Sequence, residues 1–165
     1  MAAGINPIEE FKKDHAMVRD ILLGLIEDLK ARNVEGALEK LITLDKLGGP
    51  HFRFEEETLY PMLKKFYGDD YYEYLLSAHD RVIRAAKRIA EVLGKGEITG
   101  EEAEELIRLI RRDILPHPIE CEGLALLAEK LSKEELEEVA RSIERARAEG
   151  LPLLEWADRV RERRV

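Results

Sequence analysis

The chain has 165 residues, of which 38% are charged and 6% aromatic, and its formal net charge is -8. This length supports one domain with a hydrophobic core, and the acidic balance argues against a nucleic-acid or anionic-membrane binder. A single cysteine, Cys121, excludes an internal disulfide, and no apolar run approaches the ~20 residues of a membrane span. The N-terminal residues lack the pattern of a signal peptide, so a cytoplasmic protein is expected.

The first two predicted helices each carry a histidine on an apolar stripe. Asn6 and Pro7 form a helix start, and the apolar positions that follow recur every three or four residues, with His15 among them. A second stripe opens after Asn33 and keeps its phase across the Gly-Gly-Pro run at residues 48–50. We therefore expect one long second helix that is bent at this run rather than two separate helices.

The third and fourth predicted helices carry the other two histidines. Asp69 or Asp70 is expected to cap the third helix, whose apolar face includes His79. Thr99 and the glutamate three residues later make a capping box that opens the fourth helix. His117 lies on the stripe of that helix between two prolines, so the helix is expected to be distorted at this residue.

The C-terminal part of the chain predicts two more helices. Ser132 caps a polar fifth helix, and a short last helix, at about residues 153–163, carries Trp156. A basic run near the end is interpreted as a solvated helix end, favoured by the helix macrodipole, rather than as a docking patch. This run consists of Arg159, Arg161, Arg163 and Arg164.

The predicted fold class is all-α, because no alternation of Val, Ile and Thr indicates a strand. Four long helices joined by short turns predict an up-down-up-down four-helix bundle. The additional C-terminal helices are expected to pack across this bundle. The expected division is residues 1–131 for the bundle and residues 132–165 for a helical extension.

The four histidines form a candidate metal site together with two nearby carboxylates. Burying these groups without partners would cost on the order of several kcal/mol for each charged group, and a bound cation removes that cost. His51 and Glu55 are one helical turn apart and face the same way, so both can ligate, or the glutamate can bridge two ions. The second carboxylate is Glu120 or Glu122, close to His117. Histidines and carboxylates from four helices predict a site for two metal ions.

The sequence resembles the hemerythrin and hemerythrin-like HHE cation-binding family over roughly its first 130 residues. The most specific part of the likeness is the string H-F-x-x-E-E-x-x-L-Y-P, which begins at His51. The other residues that carry it are Asp14-His15, Ala78-His79-Asp80 and the stretch from His117 to Glu122. The resemblance implies a non-haem di-iron centre, bridged by oxo, hydroxo or carboxylate groups, in a hemerythrin-like bundle. Zinc or manganese is the alternative metal.

The resemblance also implies which side chains bind the two ions. His15 and His51 belong to one iron, His79 and His117 to the other, and Glu55 and a fourth-helix carboxylate bridge them. The implied ligands are thus His15, His51, Glu55, His79, His117 and Glu122.

The fourth-helix carboxylate is the least regular part of this set. Glu122 is expected because its spacing to Leu126 repeats the spacing from Glu55 to Leu59, and Glu120 is the alternative. In an ideal helix Glu122 points about 140° away from His117, so its ligation requires a distortion at the following proline.

The chain departs from oxygen-carrying hemerythrins in its third helix, where those proteins have two histidines one turn apart. Ile83 and Leu75 occupy the positions one turn from His79. Either another carboxylate such as Glu56 fills in, or a coordination position stays open. An open position suits reaction with peroxide, dioxygen or nitric oxide better than simple reversible carriage, and a di-iron peroxidase or oxidase type of activity is one form of it.

Three functions follow from the sequence. The first is a di-iron protein that binds, senses or reduces a small oxidant or handles iron, with a small diatomic or peroxide ligand and a monomeric or homodimeric state. The second is a structural bundle that holds zinc or mixed metals, and the third is a metal-free interaction module that uses Trp156. Cys121 has three interpretations: a buried helix residue, a soft metal ligand or a redox-reactive thiol.

Overall fold

A computed structural model describes residues 4–165, and the regular elements in this range are all helices. The predicted all-α bundle is thereby confirmed. The helices are α1 (Pro7–Lys30), α2 (Val34–Phe54), α3 (Tyr60–Tyr67), α4 (Asp69–Leu93), α5 (Gly100–Leu109), α6 (Pro116–Ala128), α7 (Lys133–Glu149) and α8 (Leu153–Arg159). Two π-helical turns, Glu55–Leu59 and Ile110–Ile114, connect α2 to α3 and α5 to α6. The second and fourth long helices of the bundle are therefore composite.

The helix ends follow the local sequence closely. The Asn6 side chain accepts hydrogen bonds from the first turn of α1, and the capping boxes at Thr99 and Ser132 are both formed. The start of α4 differs from the prediction, since Gly68 is the N-cap residue and contributes no side chain. Asp69 and Asp70 lie in the first turn instead, where their negative charge is favourable to the helix dipole.

The second long helix runs without interruption through the Gly-Gly-Pro run, as predicted, with Pro50 inside α2. The glycines have a tertiary role that sequence reasoning missed. A Cβ atom at Gly49 would collide with the backbone carbonyl of Leu151, and one at Gly48 would lie 3.3 Å from the Leu153 side chain. Because Gly48 and Gly49 have no side chains, the segment that leads into α8 can cross directly against the backbone of α2.

Both π turns lie immediately before a proline-containing helix start. The Tyr60 amide donates to the Glu55 carbonyl, five residues back, and Pro61 follows. The Leu115 amide likewise donates to the Ile110 carbonyl at 2.7 Å, ahead of Pro116. A proline has no N–H to donate and its ring clashes with the carbonyl four residues earlier. Widening the helix by one residue relieves that clash and rotates the side chains of the π turn relative to the rest of the helix.

The histidines lie between two hydrophobic clusters. One cluster contains Leu22, Val82 and Ile114, and the other contains Phe11 and Leu75. On α1, His15 lies between Phe11 of one cluster and Leu22 of the other. On α4, His79 lies between Leu75 and Val82 in the same way. The polar layer is therefore enclosed by apolar side chains at both ends of the bundle.

The C-terminal helices cover one side of this bundle. α7 contacts α2, and α8 contacts both α2 and α4. Trp156 is only 1% exposed and belongs to the larger hydrophobic cluster, so it is a core residue and not an exposed interaction surface. α8 ends at Arg159, earlier than predicted, and the basic residues that follow are not a helix end. No helix in residues 4–165 is long and apolar enough to cross a membrane.

We expect Gly49→Ala to lower the free energy of unfolding by about 1–3 kcal/mol, because the new methyl group must displace the Leu151 backbone. Gly123→Ala is the matched control on α6, where a Cβ atom meets no other atom within 4 Å. That substitution should stabilise the protein by about 0.5–1 kcal/mol through helix propensity. Urea unfolding followed by circular dichroism measures both. Equal effects at the two positions would contradict the close approach at Gly49.

Candidate metal centre

The four helices of the bundle bring the four histidines together in one buried layer. The side chains are between 0% and 8% exposed, which confirms the prediction that each histidine points into the bundle. The His15 and His51 rings form one pair, with centroids 5.1 Å apart. The His79 and His117 rings form a second pair, with centroids 4.9 Å apart. The layer therefore has two histidines on each side.

Glu55 lies between the two histidine pairs and has no exposed surface. Its Oε1 atom is 3.1 Å from His79 Nε2, and its Oε2 atom is 3.5 Å from His51 Nε2. Oε2 also lies 3.9 Å from Cys121 Sγ. Glu55 opens the first π turn, and each of its oxygens faces a different histidine pair. Glu55 is therefore within reach of both histidine pairs.

Three outer carboxylates fix the orientation of three histidine rings. The Nδ1 atom of His51 donates to Asp14 at 2.9 Å, and the Nδ1 atom of His79 donates to Glu56 at 2.7 Å. His15 Nδ1 makes the corresponding contact with Glu122 at 3.1 Å. A carboxylate on Nδ1 leaves Nε2 directed at the centre, and a metal-binding histidine usually donates its other ring N–H to such an outer partner.

Two of the inner nitrogen atoms have no close protein partner among the described residues. His15 Nε2 is buried without a hydrogen-bond partner in residues 4–165, and His51 Nε2 is buried with Glu55 Oε2 at 3.5 Å, too far for a good hydrogen bond. Buried ring nitrogens without a hydrogen bond are costly unless a ligand such as a metal ion binds them. Two groups have donor atoms that all lie within 4.8 Å of one another. One consists of His15, Glu55 and Cys121, and the other of Glu55, His79 and His117.

The structure places the two predicted fourth-helix carboxylates outside these groups. Glu122 contacts the outer side of His15 and is 47% exposed, and Glu120 lies 3.4 Å from the exposed Tyr74 hydroxyl. The helix distortion precedes Pro116 and does not follow His117, so α6 is regular beyond it. Glu122 therefore keeps the position that an ideal helix gives it relative to His117, and it points away from that histidine.

Cys121 takes the inward position one turn after His117. Its Sγ atom is 3.2 Å from His117 Nε2, and the residue is 2% exposed. Sequence reasoning preferred Glu122 and gave the cysteine no definite role. The available signal was the spacing of four residues, since Cys121 follows His117 as Glu55 follows His51.

The position of the missing third-helix histidine is filled by apolar packing. Ile83 is fully buried in the larger hydrophobic cluster, and the Phe52 ring stacks on His79 at 3.8 Å. Glu56, which the sequence offered as a replacement ligand, is held on the outer side of the same histidine. The Tyr60 hydroxyl is 3.0 Å from His79 Nε2, and burial raises the pKa of this phenol well above its usual range. A neutral hydroxyl therefore faces the centre.

Charge is distributed unevenly across the layer. Burial opposes ionisation of Glu55, but His51 and His79 hold the pKa of its carboxyl well below its usual range. Burial would also lower the pKa of His51, but the carboxylates of Glu55 and Asp14 raise it to about 10. Burial and the neighbouring imidazoles lower the pKa of His15 and lower that of His117 further. The last two rings are therefore neutral and ready to bind a cation.

The model of the hemerythrin family, described as the hemerythrin HHE cation binding domain, matches residues 6–118. The chain belongs to the hemerythrin HHE cation-binding family. The match includes all four histidines and Glu55, and it ends before Cys121, Glu122 and the C-terminal helices. No curated protein and no solved structure matches the chain. The family is a cation-binding one, which agrees with the unpaired inner nitrogens of its histidine layer.

The charge of His51 makes proton release on metal binding a test of this geometry. The raised pKa of His51 means that its ion pairs with Glu55 and Asp14 stabilise the metal-free fold fully below about pH 6.5. This stabilisation is lost as the pH rises through about 10. Near neutral pH a metal ion that binds Nε2 must therefore displace a proton.

We expect Asp14→Asn to reduce the number of protons released when Zn²⁺ binds, because loss of the carboxylate lowers the pKa of His51. Asp20→Asn is the control on the same helix, since Asp20 is exposed and pairs only with Arg19 among the described contacts. Titration calorimetry in buffers of different ionisation enthalpy measures the release. Equal release from Asp14→Asn and the unchanged protein would count against the His51 assignment.

Proposed function

We propose that this chain is a non-haem protein that holds two iron ions and uses them to bind, sense or reduce a small oxidant. Dioxygen, peroxide and nitric oxide are the ligands of that class. The observation that carries the proposal is the position of Glu55, whose two oxygens face two separate histidine pairs. One carboxylate between two donor groups fits two ions better than one.

The proposed ligands of the first ion are His15, His51, Glu55 and Cys121, and those of the second are His79, His117 and Glu55. Cys121 thus replaces the fourth-helix carboxylate expected from the sequence, and Glu122 acts on the outer side of His15. Burial raises the pKa of the Cys121 thiol well above its usual range, so ligation requires the cation to drive off its proton. The second ion has fewer protein ligands, which leaves positions open for a small molecule.

The surroundings of the centre support a small ligand of low polarity. A cavity of about 80 Å³ reaches the histidine layer and is lined mainly by aliphatic side chains, with Leu153 and Leu154 of α8 among them. A cavity of about 10–15 Å³ already holds one water molecule, so a diatomic molecule or peroxide has room in this space.

Iron bound at this site would supply electrons or a Lewis acid to the ligand, and the protein would supply the remaining features. Glu55 and the histidines set the position of the ions. The Tyr60 hydroxyl, 3.0 Å from His79 Nε2, can hold a proton near the open coordination positions of the second ion. The apolar residues of the cavity limit access of bulk water, which strengthens every charge interaction within the site.

A zinc site without redox chemistry is the second candidate, and Cys121 is the observation that favours it. Thiolate, imidazole and carboxylate are all zinc ligands, and a cysteine beside histidines suits zinc as well as iron. The metal-free interaction module loses its main support, because Trp156 is buried in the core. Anaerobic loading with each metal, followed by visible spectra before and after peroxide, distinguishes the two metals.

We expect the protein to bind about two Fe²⁺ ions per chain anaerobically and to develop visible absorption on addition of peroxide. Glu55→Gln should lower the number of Fe²⁺ ions bound per chain and abolish the visible absorption, because the negative charge between the two histidine pairs is lost. Glu57→Gln is the matched control in the same π turn, where the side chain is 48% exposed and pairs with Arg53. A colourless protein that prefers zinc would overturn the iron assignment, and equal loading of both variants would overturn the role of Glu55.

A further inference from the structure

We propose that Arg161, in the C-terminal segment after α8, is a positioning residue for the metal centre that acts through Glu56 on His79. The proposal rests on the proposed function only in requiring that a metal binds at His79. The segment lies outside residues 6–118, the range that matches the family, so the contribution belongs to the extension of this chain. The residue is only 2% exposed, unlike the solvated arginine that the sequence suggested.

The guanidinium of Arg161 makes a fork with the Glu56 carboxylate. Its Nε atom donates to Glu56 Oε1 at 2.9 Å, and its Nη2 atom donates to Oε2 at 2.8 Å. The same Oε2 atom accepts the Nδ1–H of His79 at 2.7 Å. The chain of contacts therefore leads from the C-terminal arginine through one carboxylate to a histidine whose other nitrogen faces the centre.

The third nitrogen of the guanidinium holds a second carboxylate beside the histidine. Arg161 Nη1 is 2.9 Å from Asp80 Oδ1, and Arg163 Nε donates to Asp80 Oδ2 at 2.7 Å. Asp80 is the neighbour of His79 on α4, and Glu56 is the neighbour of Glu55 on the π turn. One planar cation thereby connects two of the three chain segments that carry the second group of donors, those of Glu55 and His79. A lysine at this position cannot reproduce a bidentate fork.

The backbone around Arg161 is held in place independently of these ion pairs. Its amide donates to the Trp156 carbonyl at 2.9 Å, and its guanidinium carbon lies 5.9 Å from the centre of the Trp156 ring. Trp156 is anchored in the core, and the segment before α8 crosses α2 at Gly49. Arg161 therefore occupies a preformed position from which it can restrain Glu56.

This restraint has a specific consequence for His79. A bound carboxylate on Nδ1 fixes the ring orientation and the proton position, and loss of such outer partners typically weakens metal binding about 10–100-fold. Without Arg161, Glu56 loses its charge partner and all of its hydrogen bonds to the guanidinium, so it can rotate away from the ring. The Nδ1–H of His79 then exchanges with solvent, and Nε2 is no longer held towards the ion.

The first test compares Arg161→Gln with Arg159→Gln, which removes the same charge from the end of α8 but pairs only with Glu155 among the described contacts. In nitrogen-edited NMR of the metal-free protein, we expect a protected Nδ1–H signal from His79 that Arg161→Gln abolishes and Arg159→Gln retains. In parallel, the Zn²⁺ dissociation constant should rise about tenfold or more for Arg161→Gln and less than twofold for Arg159→Gln. An unchanged His79 signal together with an unchanged dissociation constant would overturn the proposal.

A double variant separates positioning from general stability. Because Arg161 acts through Glu56, Arg161→Gln combined with Glu56→Gln should bind Zn²⁺ no more weakly than Glu56→Gln alone. If the dissociation constant of the double variant rises by the product of the two single-variant factors, the arginine acts elsewhere. If Arg161→Gln does not fold by circular dichroism, Arg161→Lys serves instead, and a dissociation constant within twofold of the unchanged protein would contradict the need for the fork. The NMR signal needs no metal, so failure of zinc or iron binding would overturn the proposed function without deciding this link.

Discussion

The arrangement of this protein depends on one buried carboxylate. Glu55 has no contact with solvent and lies among apolar side chains, where an isolated negative charge is costly. Within the described residues its compensation comes from imidazoles and not from a lysine or arginine in direct contact. Imidazoles that flank a shared carboxylate can exchange a proton for a metal ion, whereas a permanent cation would occupy the centre and exclude one.

Around this carboxylate the charges alternate outward in layers. The imidazoles form the first layer, and Asp14, Glu56 and Glu122 form the second on their outer nitrogens. Arginines from the C-terminal part of the chain face two of these carboxylates, with Arg161 bound to Glu56 and Arg147 at 3.5 Å from Asp14. The family match ends before the elements that supply those arginines. The extension is therefore a part of the electrostatic surroundings of the centre as well as a cover for the bundle.

Sequence reasoning located the helices, most of their caps and the inward faces of the histidines, because these features depend on local periodicity and local hydrogen bonds. It could not foresee the two π turns ahead of Pro61 and Pro116, because the spacing rules assume a regular α-helix and a π turn changes the helical phase. The choice between Glu122 and Cys121 did not depend on these turns, because α6 is regular from Pro116 onward and the spacing of four residues from His117 already places Cys121 on the inward face. Arg161 looked like a surface residue, because only tertiary packing at Gly49 and Trp156 brings the tail back to the metal layer.

The role of Glu55 is tested most directly by a crystal structure of the iron-loaded protein, with anomalous scattering recorded on both sides of the iron absorption edge. We expect two iron peaks, one on each side of Glu55, with Cys121 Sγ within bonding distance of the ion beside His15. A single peak, a peak remote from Glu55, or a sulfur that stays outside bonding distance with Glu122 in its place would contradict it.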